Sequence, residues 1–133
     1  MKGAKLDVAV VGSTGIVGQQ FLVALDEHPW FRITSLAASE KSAGKTYEEA
    51  LRDPNTNALR WFCSEDAPDS VLSMTVGDAS ALDLSEIDIV FTALESEHAR
   101  KLEPLYARTT PVISTASAFR YEDDVPILVP GVN

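Results

Sequence analysis

The sequence predicts an α/β fold in which a mostly parallel, doubly wound sheet lies between two layers of helices. Residues 8–11 are apolar in succession, which is typical of a parallel strand covered on both faces. Segments with strand and helix patterns then alternate along the chain, as they do in βαβ units. We therefore expect a Rossmann-type, three-layer αβα domain that occupies residues 1–133.

Composition and charge restrict the classes of function. The chain has 133 residues, of which 45% are apolar and 23% charged, as in a globular protein with one domain. Its formal charge of −9 disfavours nucleic acid or an anionic membrane as a partner. It has one cysteine, too few for an internal disulfide, and no apolar run of about 18 residues that would span a bilayer. No signal peptide is evident, and the cytoplasm is the expected compartment.

The clearest βαβ unit is predicted at the start of the chain. A strand at Leu6–Val11 runs into a turn that contains three glycines. From Ile16 onward, apolar residues recur at helical spacing, and this helix should stop near Pro29 because proline disfavours helix in the residue before it. A second strand at 32–38 completes the unit.

Weaker signals follow along the rest of the chain. Residues 39–45 form a polar loop, 46–53 a short helix and 55–70 an irregular segment. A longer helix is predicted at 96–108, with Ser96 as its N-cap. Four further strands are predicted, at 71–77, 87–94, 112–114 and 127–129. Because the last strand is followed by no closing helix, we expect the chain to be part of a longer protein.

The glycine turn is the strongest candidate for a binding site. Gly12 permits the tight exit from the strand, Gly15 lets a pyrophosphate approach the backbone, and Gly18 lets the helix pack closely. Free N–H groups at the helix start and two hydroxyls would donate to phosphate, where the helix dipole favours negative charge. The candidate phosphate-binding residues are Gly12, Ser13, Thr14, Gly15, Ile16 and Val17. A structural turn without a ligand is the alternative.

The loop after the second strand should select the dinucleotide. NAD enzymes place an acid about 20 residues past the turn to bind a ribose, and Glu40 lies in that window. However, Ser39, Lys41, Ser42 and Lys45 surround it, and two hydroxyls with two ammonium groups suit a 2′-phosphate better than a bare ribose. We therefore expect NADP in preference to NAD, with a solvated loop as the alternative.

The other candidate residues favour structural roles. Cys63 has acids close by, which raise the pKa of a thiol, and we interpret it as an inert, partly buried side chain. His28 is expected to cap the first helix and His98 to lie in solvent, and since neither has partners at metal-ligand spacing we expect no metal site. Arg120 could bind a phosphate or a carboxylate, or could pair with the acids at 122–124; both interpretations stay open.

Five segments, spread over residues 8–133 except 53–80, carry a resemblance to a known family. They read "VGSTGIVG", "HPWF", "AASEKSAGK", "DIVFTALES" and "PVISTASAFRYEDDVPILVPGVN". Each is similar to a segment of the aspartate-semialdehyde dehydrogenases, particularly the archaeal and fungal branch, and of the related malonyl-CoA reductase. The resemblance implies an NADP-binding Rossmann domain and, for the full-length form, a homo-oligomer.

The resemblance also implies a reaction and further site residues. In this family a cysteine attacks the aldehyde, hydride passes to NADP⁺ to leave a thioester, and phosphate then releases the acyl phosphate. The family's cysteine lies beyond the segment that ends at Asn133, so this chain alone is expected to bind cofactor and to catalyse nothing. By their positions in the matching segments, Ala93 and Leu94 are expected to lie alongside the adenosine and pyrophosphate. Ser114 and Thr115 are expected to lie near the nicotinamide ribose.

Two other functions stay open for the sequence. One is a free-standing nucleotide-binding module that regulates without catalysis. The other is a domain of N-acetyl-glutamyl-phosphate reductase, which shares the architecture and chemistry, although the "SAGK" loop favours the aspartate-semialdehyde dehydrogenases. The exact substrate is also open, because the family's asparagine, histidine and glutamate at three late positions are Thr115, Phe119 and Gly131 here.

Overall fold

The computed structural model describes residues 4–129 and 131–132. Their strands form a single sheet of five, in which every neighbouring pair is parallel. The strands are β1 (Leu6–Val11), β2 (Phe31–Ala38), β3 (Val76–Asp78), β4 (Ile89–Thr92) and β5 (Val112–Ser114). Their order across the sheet is β3-β2-β1-β4-β5, which confirms the predicted Rossmann-type architecture.

Helices cover both faces of this sheet. They are α1 (Ile16–Leu25), α2 (Tyr47–Leu51), α3 (Asp69–Leu72) and α4 (Ser96–Ala107), with a 3-10 turn at Ala79–Ala81. Helix α1 packs on β1 and β2, and α4 packs on β4 and β5. None of the helices among the described residues is long and apolar enough to cross a bilayer.

Strand β1 is the centre of the sheet and is buried on both faces. Val8 and Val10 pack on one face with Leu22 of α1. Ala9 and Val11 pack on the other face, in a second cluster that includes a tyrosine of α4. These four residues of β1 are fully inaccessible to solvent, which explains why this part of the strand shows no polar alternation.

The strand order reverses next to the central strand of the sheet. The chain passes from β1 to β2 on one side, whereas β4 lies on the other side of β1, so the order reverses between β1 and β4. Ligands of open α/β sheets bind at such a point. Here Val11 pairs with both Ala37 of β2 and Thr92 of β4, and Thr92 pairs with Ser114 of β5. The segments that leave these four strands therefore lie next to one another.

The predicted strand at 71–77 is wrong in its position. Val71 and Leu72 belong to α3, and the strand begins only at Val76 and continues to Asp78. Short apolar runs fit a helical turn as well as a strand, and only three residues here pair with the end of β2.

The predicted strand at 127–129 is also wrong. These residues are irregular and lie outside the five-stranded sheet, and their side chains are exposed, with Leu128 at 72%. Proline stands on both sides of this short run in the sequence, and a proline has no N–H to contribute to a ladder.

Two helix ends differ from the predicted ones. Helix α1 ends at Leu25, with Asp26 as its C-cap, which is slightly earlier than the stop predicted near Pro29. The N-cap of α4 is Glu95, because helical geometry already includes Ser96, whose hydroxyl instead bonds to that of Ser117 at 2.7 Å.

Candidate functional site

Two of the three glycines are required by backbone contacts within the turn. Gly12 has φ +81°, which favours glycine, and a Cβ there would collide with the carbonyl oxygen of Ala93 after β4. A Cβ on Gly18 would collide with the carbonyl oxygen of Gly12. These contacts agree with the predicted roles of Gly12 in the tight turn and of Gly18 in close helix packing.

Gly15 differs from the other two because no neighbour in the chain crowds it. A Cβ at Gly15 would meet only the carbonyl oxygen of Gly12, at an ordinary 3.8 Å, and the residue is exposed. Its backbone conformation is also one that any residue can adopt, with φ −83° and ψ 172°. The space above Gly15 is therefore free for a group that approaches the backbone from outside.

The start of α1 presents backbone donors to that space. Gly15 is the N-cap and provides no side chain to cap the helix. Among the described residues, no acceptor bonds to the N–H groups of Thr14, Ile16 or Val17. The side chains of Ile16 and Val17 are also 60% and 48% exposed. This arrangement suits an anion, which the helix dipole stabilises.

Two buried side chains donate hydrogen bonds to carbonyl groups on the core side of the turn. The Tyr47 hydroxyl donates to the Ser13 carbonyl oxygen at 2.5 Å, and Gln19 Nε2 donates to the Thr14 carbonyl oxygen at 3.0 Å. In a trans peptide the carbonyl and the next N–H point to opposite sides, so the bond from Tyr47 turns the Thr14 N–H away from the core. Sequence reasoning missed both side chains, although Gln19 shares a helical face with the buried Leu22.

The Ser13 hydroxyl differs from its expected role as a donor to a ligand. Ser13 is fully buried, and its hydroxyl donates to the Ala37 carbonyl oxygen at 3.1 Å. The same oxygen accepts from the N–H groups of Gly12, at 2.9 Å, and of Ser13, at 3.2 Å. Ser13 therefore joins the turn to the end of β2.

Burial of Tyr47 predicts a loss of stability in alkali. Burial, with Cys63 nearby, raises the pKa of the Tyr47 hydroxyl well above its usual value of 10.0. Above pH 10 the unfolded chain then loses a proton that the folded chain keeps, so stability falls by about 1.4 kcal/mol per pH unit for this group. Urea unfolding between about pH 9 and about pH 11.5 should show a shallower decline for Tyr47→Phe than for the wild type. Equal slopes would contradict this assignment.

The loop after β2 lies beside the turn, because Gly12 and Ser13 bond to the end of that strand. The loop is folded by tight turns, in which Ser42 N–H donates to the Ser39 carbonyl oxygen at 3.0 Å. Ser39, Lys41 and Lys45 are exposed, and Ser42 is partly buried. The two ammonium groups are thus free to move towards an anion.

The ends of β4 and β5 complete the edge. Ala93 N–H donates to the Val11 carbonyl oxygen at 2.8 Å, and Leu94 follows it, partly buried. Ser114 and Thr115 are exposed, and Thr115 bonds to the Thr92 carbonyl oxygen through both its N–H and its hydroxyl, each at 3.2 Å. The structure thus brings the predicted residues after β1, β2, β4 and β5 to one edge of the sheet.

Sequence reasoning missed Glu103. The side chain of this residue on α4 is buried and accepts from the hydroxyls of Thr92 and Ser114. A signal was present in the sequence, since Ala99, Glu103 and Tyr106 recur at helical spacing on the buried face of α4.

The remaining candidate residues of the sequence are Cys63, His28 and Arg120. Burial raises the pKa of the Cys63 thiol, and the negative charge of the nearby Glu65 raises it further, as expected for an inert side chain. His28 Nδ1 accepts from the Trp30 N–H at 3.0 Å, so it stabilises the turn after α1 rather than capping the helix. Arg120 donates to the Thr115 carbonyl oxygen at 3.3 Å and forms no ion pair among the described residues. The described residues contain no metal-ligand cluster.

Comparison with known proteins agrees with this geometry. The sequence model of the semialdehyde dehydrogenase NAD binding domain matches residues 7–133. Aspartate-semialdehyde dehydrogenase of Methanothermobacter thermautotrophicus is 43% identical over 128 residues, which cover 96% of this chain and 35% of the relative. The same enzyme of Saccharomyces cerevisiae is 36% identical over 134 residues, which cover 100% of this chain and 34% of the relative.

A solved structure is similar over nearly the whole chain. The crystal structure of aspartate-semialdehyde dehydrogenase with NADP from Candida albicans matches with a TM-score of 0.84 and 33% identity, over 96% of this chain and 34% of that one. The chain thus spans about a third of the length of the relatives it matches. The chain belongs to the semialdehyde dehydrogenase family, and residues 7–133 correspond to its NAD-binding domain.

Proposed function

We propose that this chain binds NADP at the carboxyl edge of the sheet and forms the cofactor-binding part of an enzyme that interconverts aspartate semialdehyde and aspartyl phosphate. The observation that carries the proposal is the set of three backbone N–H groups, of Thr14, Ile16 and Val17, without acceptors at an exposed helix start. The relatives support the reaction, since those reported above are aspartate-semialdehyde dehydrogenases and one was solved with NADP.

The residues at the glycine turn fit a pyrophosphate. The open space at Gly15 admits an anion close to the backbone, and the free N–H groups donate to it. Tyr47 and Gln19 fix the carbonyl groups of the turn, so these donors are held in place before the ligand arrives. When bound, NADP supplies the hydride acceptor or donor of the reaction.

The residues on either side of the turn would bind different parts of the dinucleotide. Ser39, Ser42 and the two lysines of the loop after β2 would bind the adenosine ribose and its 2′-phosphate. On the other side of β1, Ala93 and Leu94 would pass the pyrophosphate. Ser114 and Thr115 would lie along the nicotinamide half.

No nucleophile is proposed within this chain. The raised pKa of Cys63 disfavours the thiolate that a nucleophilic cysteine needs. We therefore assign the reactive cysteine to a part of the full-length protein outside residues 1–133. From the resemblance to the aspartate-semialdehyde dehydrogenases, we also propose that the full-length form is a homo-oligomer. We propose the cytoplasm as its compartment, which suits a free thiol.

Titration of the chain with NADP⁺ and NAD⁺ tests this proposal. We expect NADP⁺ to bind about tenfold more tightly, because the exposed lysines at 41 and 45 add charge-assisted hydrogen bonds to the 2′-phosphate. Calorimetry gives both affinities, and the fluorescence of Trp61 provides a second signal, since its neighbours in the chain bond to Gln19.

A double variant separates the two parts of the proposal. Replacing Lys41 and Lys45 by alanine should lower the affinity for NADP⁺ about tenfold and leave that for NAD⁺ unchanged. Lys101→Ala is the matched control, since this exposed lysine lies on α4 and should change neither affinity. Absence of binding of both dinucleotides at about millimolar concentration would contradict the proposed function, and tighter binding of NAD⁺ would contradict the 2′-phosphate assignment.

A further inference from the structure

The junction between β4 and β5 contains a buried carboxylate that the proposed cofactor contacts do not use. Glu103 reaches from α4 to the ends of the two strands and is 5% exposed. Its Oε2 accepts from Thr92 Oγ1 and from Ser114 Oγ, each at 2.6 Å. Thr92 and Ser114 are register partners on adjacent strands, so a single carboxylate oxygen ties the two strand ends together.

These bonds determine what the Ser114 hydroxyl can offer to a ligand. A serine hydroxyl has one proton and two lone pairs, and a carboxylate oxygen can only accept. The proton of Ser114 is therefore used by Glu103, while Ala116 N–H donates to one lone pair of the same oxygen at 3.0 Å. One lone pair is left, and Ser114 is exposed at the carboxyl edge. Towards a ligand, the hydroxyl is an acceptor and not a donor.

The position of Ser114 relates it to one half of a dinucleotide. The sheet order places β2, with its two-lysine loop, on one side of β1, and places β4 and β5 on the other. A dinucleotide that lies across the switch point with its 2′-phosphate over β2 would have its second half over β4 and β5. That half carries neutral donors, namely the hydroxyls of the second ribose and the carboxamide of nicotinamide.

We propose that Glu103 is a positioning residue that makes Ser114 an obligate acceptor, so that the end of β5 binds a neutral hydrogen-bond donor of the nicotinamide half and rejects phosphate. The inference rests on the proposed function, because it takes a dinucleotide as the ligand. An acceptor-only hydroxyl would also disfavour the pyrophosphate at this position, since the pyrophosphate of a dinucleotide carries no proton to donate at neutral pH.

Three ligands locate the contact along the dinucleotide. They are NADP⁺, 2′-phospho-ADP-ribose, which lacks the nicotinamide base, and adenosine 2′,5′-bisphosphate, which lacks the second ribose as well. We expect Ser114→Ala to weaken the binding of NADP⁺ and 2′-phospho-ADP-ribose about fivefold, as for the loss of one hydrogen bond, with the bisphosphate unchanged. Weakening of NADP⁺ alone would identify the carboxamide as the donor and would equally support the proposal.

The Glu103→Gln variant tests the role of the carboxylate. An amide nitrogen at the place of Oε2 would donate to Ser114 and release its proton, so the affinities should fall as in Ser114→Ala. The variant with both substitutions should lose no more than Ser114→Ala, because Glu103 acts through Ser114. Glu97→Gln, at an exposed position of the same helix, is the matched control and should leave all three affinities unchanged.

The outcomes separate this inference from the proposed function. If the wild type binds none of the three ligands, the proposed function fails and this inference fails with it. If the wild type binds NADP⁺ and Ser114→Ala binds it equally well, or if all three ligands weaken by the same factor, this inference alone is overturned. Should Glu103→Gln not fold, Ser114→Ala still keeps the inference falsifiable, since Ser114 is an exposed residue at a strand end.

Discussion

Gly12→Ala is expected to lower the free energy of unfolding by about 3 kcal/mol, because it combines backbone strain with a clash. Alanine at φ +81° is strained, and its Cβ would collide with the carbonyl oxygen of Ala93, a backbone atom that cannot rotate away. The turn or the end of β4 would have to move, so binding of NADP⁺ should be lost as well. Urea unfolding followed by circular dichroism measures the change.

Gly15→Ala is the matched control for this prediction. Its Cβ would have ordinary contact with the carbonyl oxygen of Gly12, and the backbone there suits any residue, so the stability should change by less than about 0.5 kcal/mol. The methyl group would nevertheless fill space that the pyrophosphate needs, and NADP⁺ binding should weaken. Equal destabilisation by the two substitutions would contradict the distinct roles of the two glycines.

Gln19→Leu is expected to cost about 3 kcal/mol of stability, because it leaves three backbone groups without a partner. The fully buried amide donates to the carbonyl oxygens of Thr14, at 3.0 Å, and Arg60, at 2.9 Å. It also accepts from the Phe62 N–H at 2.8 Å. Urea unfolding gives the loss of stability, and hydrogen exchange of the Phe62 amide should become faster than in the wild type.

The neighbouring glutamine supplies the control for this second prediction. Gln20 lies on the same helix but is exposed, and no hydrogen bond of its side chain occurs among the described residues. Gln20→Leu should change the stability by less than about 0.5 kcal/mol and should leave the Phe62 amide protected. A comparable loss in both variants would mean that a leucine on α1, and not the buried amide, causes the effect.

The sequence predicts the elements whose pattern has only one interpretation. The unbroken apolar run of β1 and the helical spacing from Ile16 are such patterns, and both elements begin where predicted. The sequence of Val71 and Leu72 fits a strand or a helical turn equally well. In the structure the pairing with β2 begins only at Val76, so these two residues remain helical. The apolar residues at 127–129 have the pattern of a core strand, and only the structure shows that they lie outside the five-stranded sheet.

Much of the candidate site is also predictable, because its backbone groups follow glycines and strand ends. The side chains that hold those groups are not, since their partners are distant in sequence. Gln19 bonds to residues 60 and 62, and Glu103 bonds to Thr92 and Ser114 on two strands. Each is a polar residue on a buried helical face, which periodicity reveals, but its partners become known only from the packing of the layers.

The central place of β1 also has a consequence for the kinetics of folding. Val8 pairs with Ile33, which follows soon after it, and with Ile89, which lies far along the chain. During synthesis, β1 and β2 can pair early, while the other edge of β1 must wait for β4. Until then a strand with four successive apolar residues has an open edge, which is a surface prone to aggregation. Contacts between such distant residues also slow folding, so we expect closure of β4 onto β1 to limit the rate.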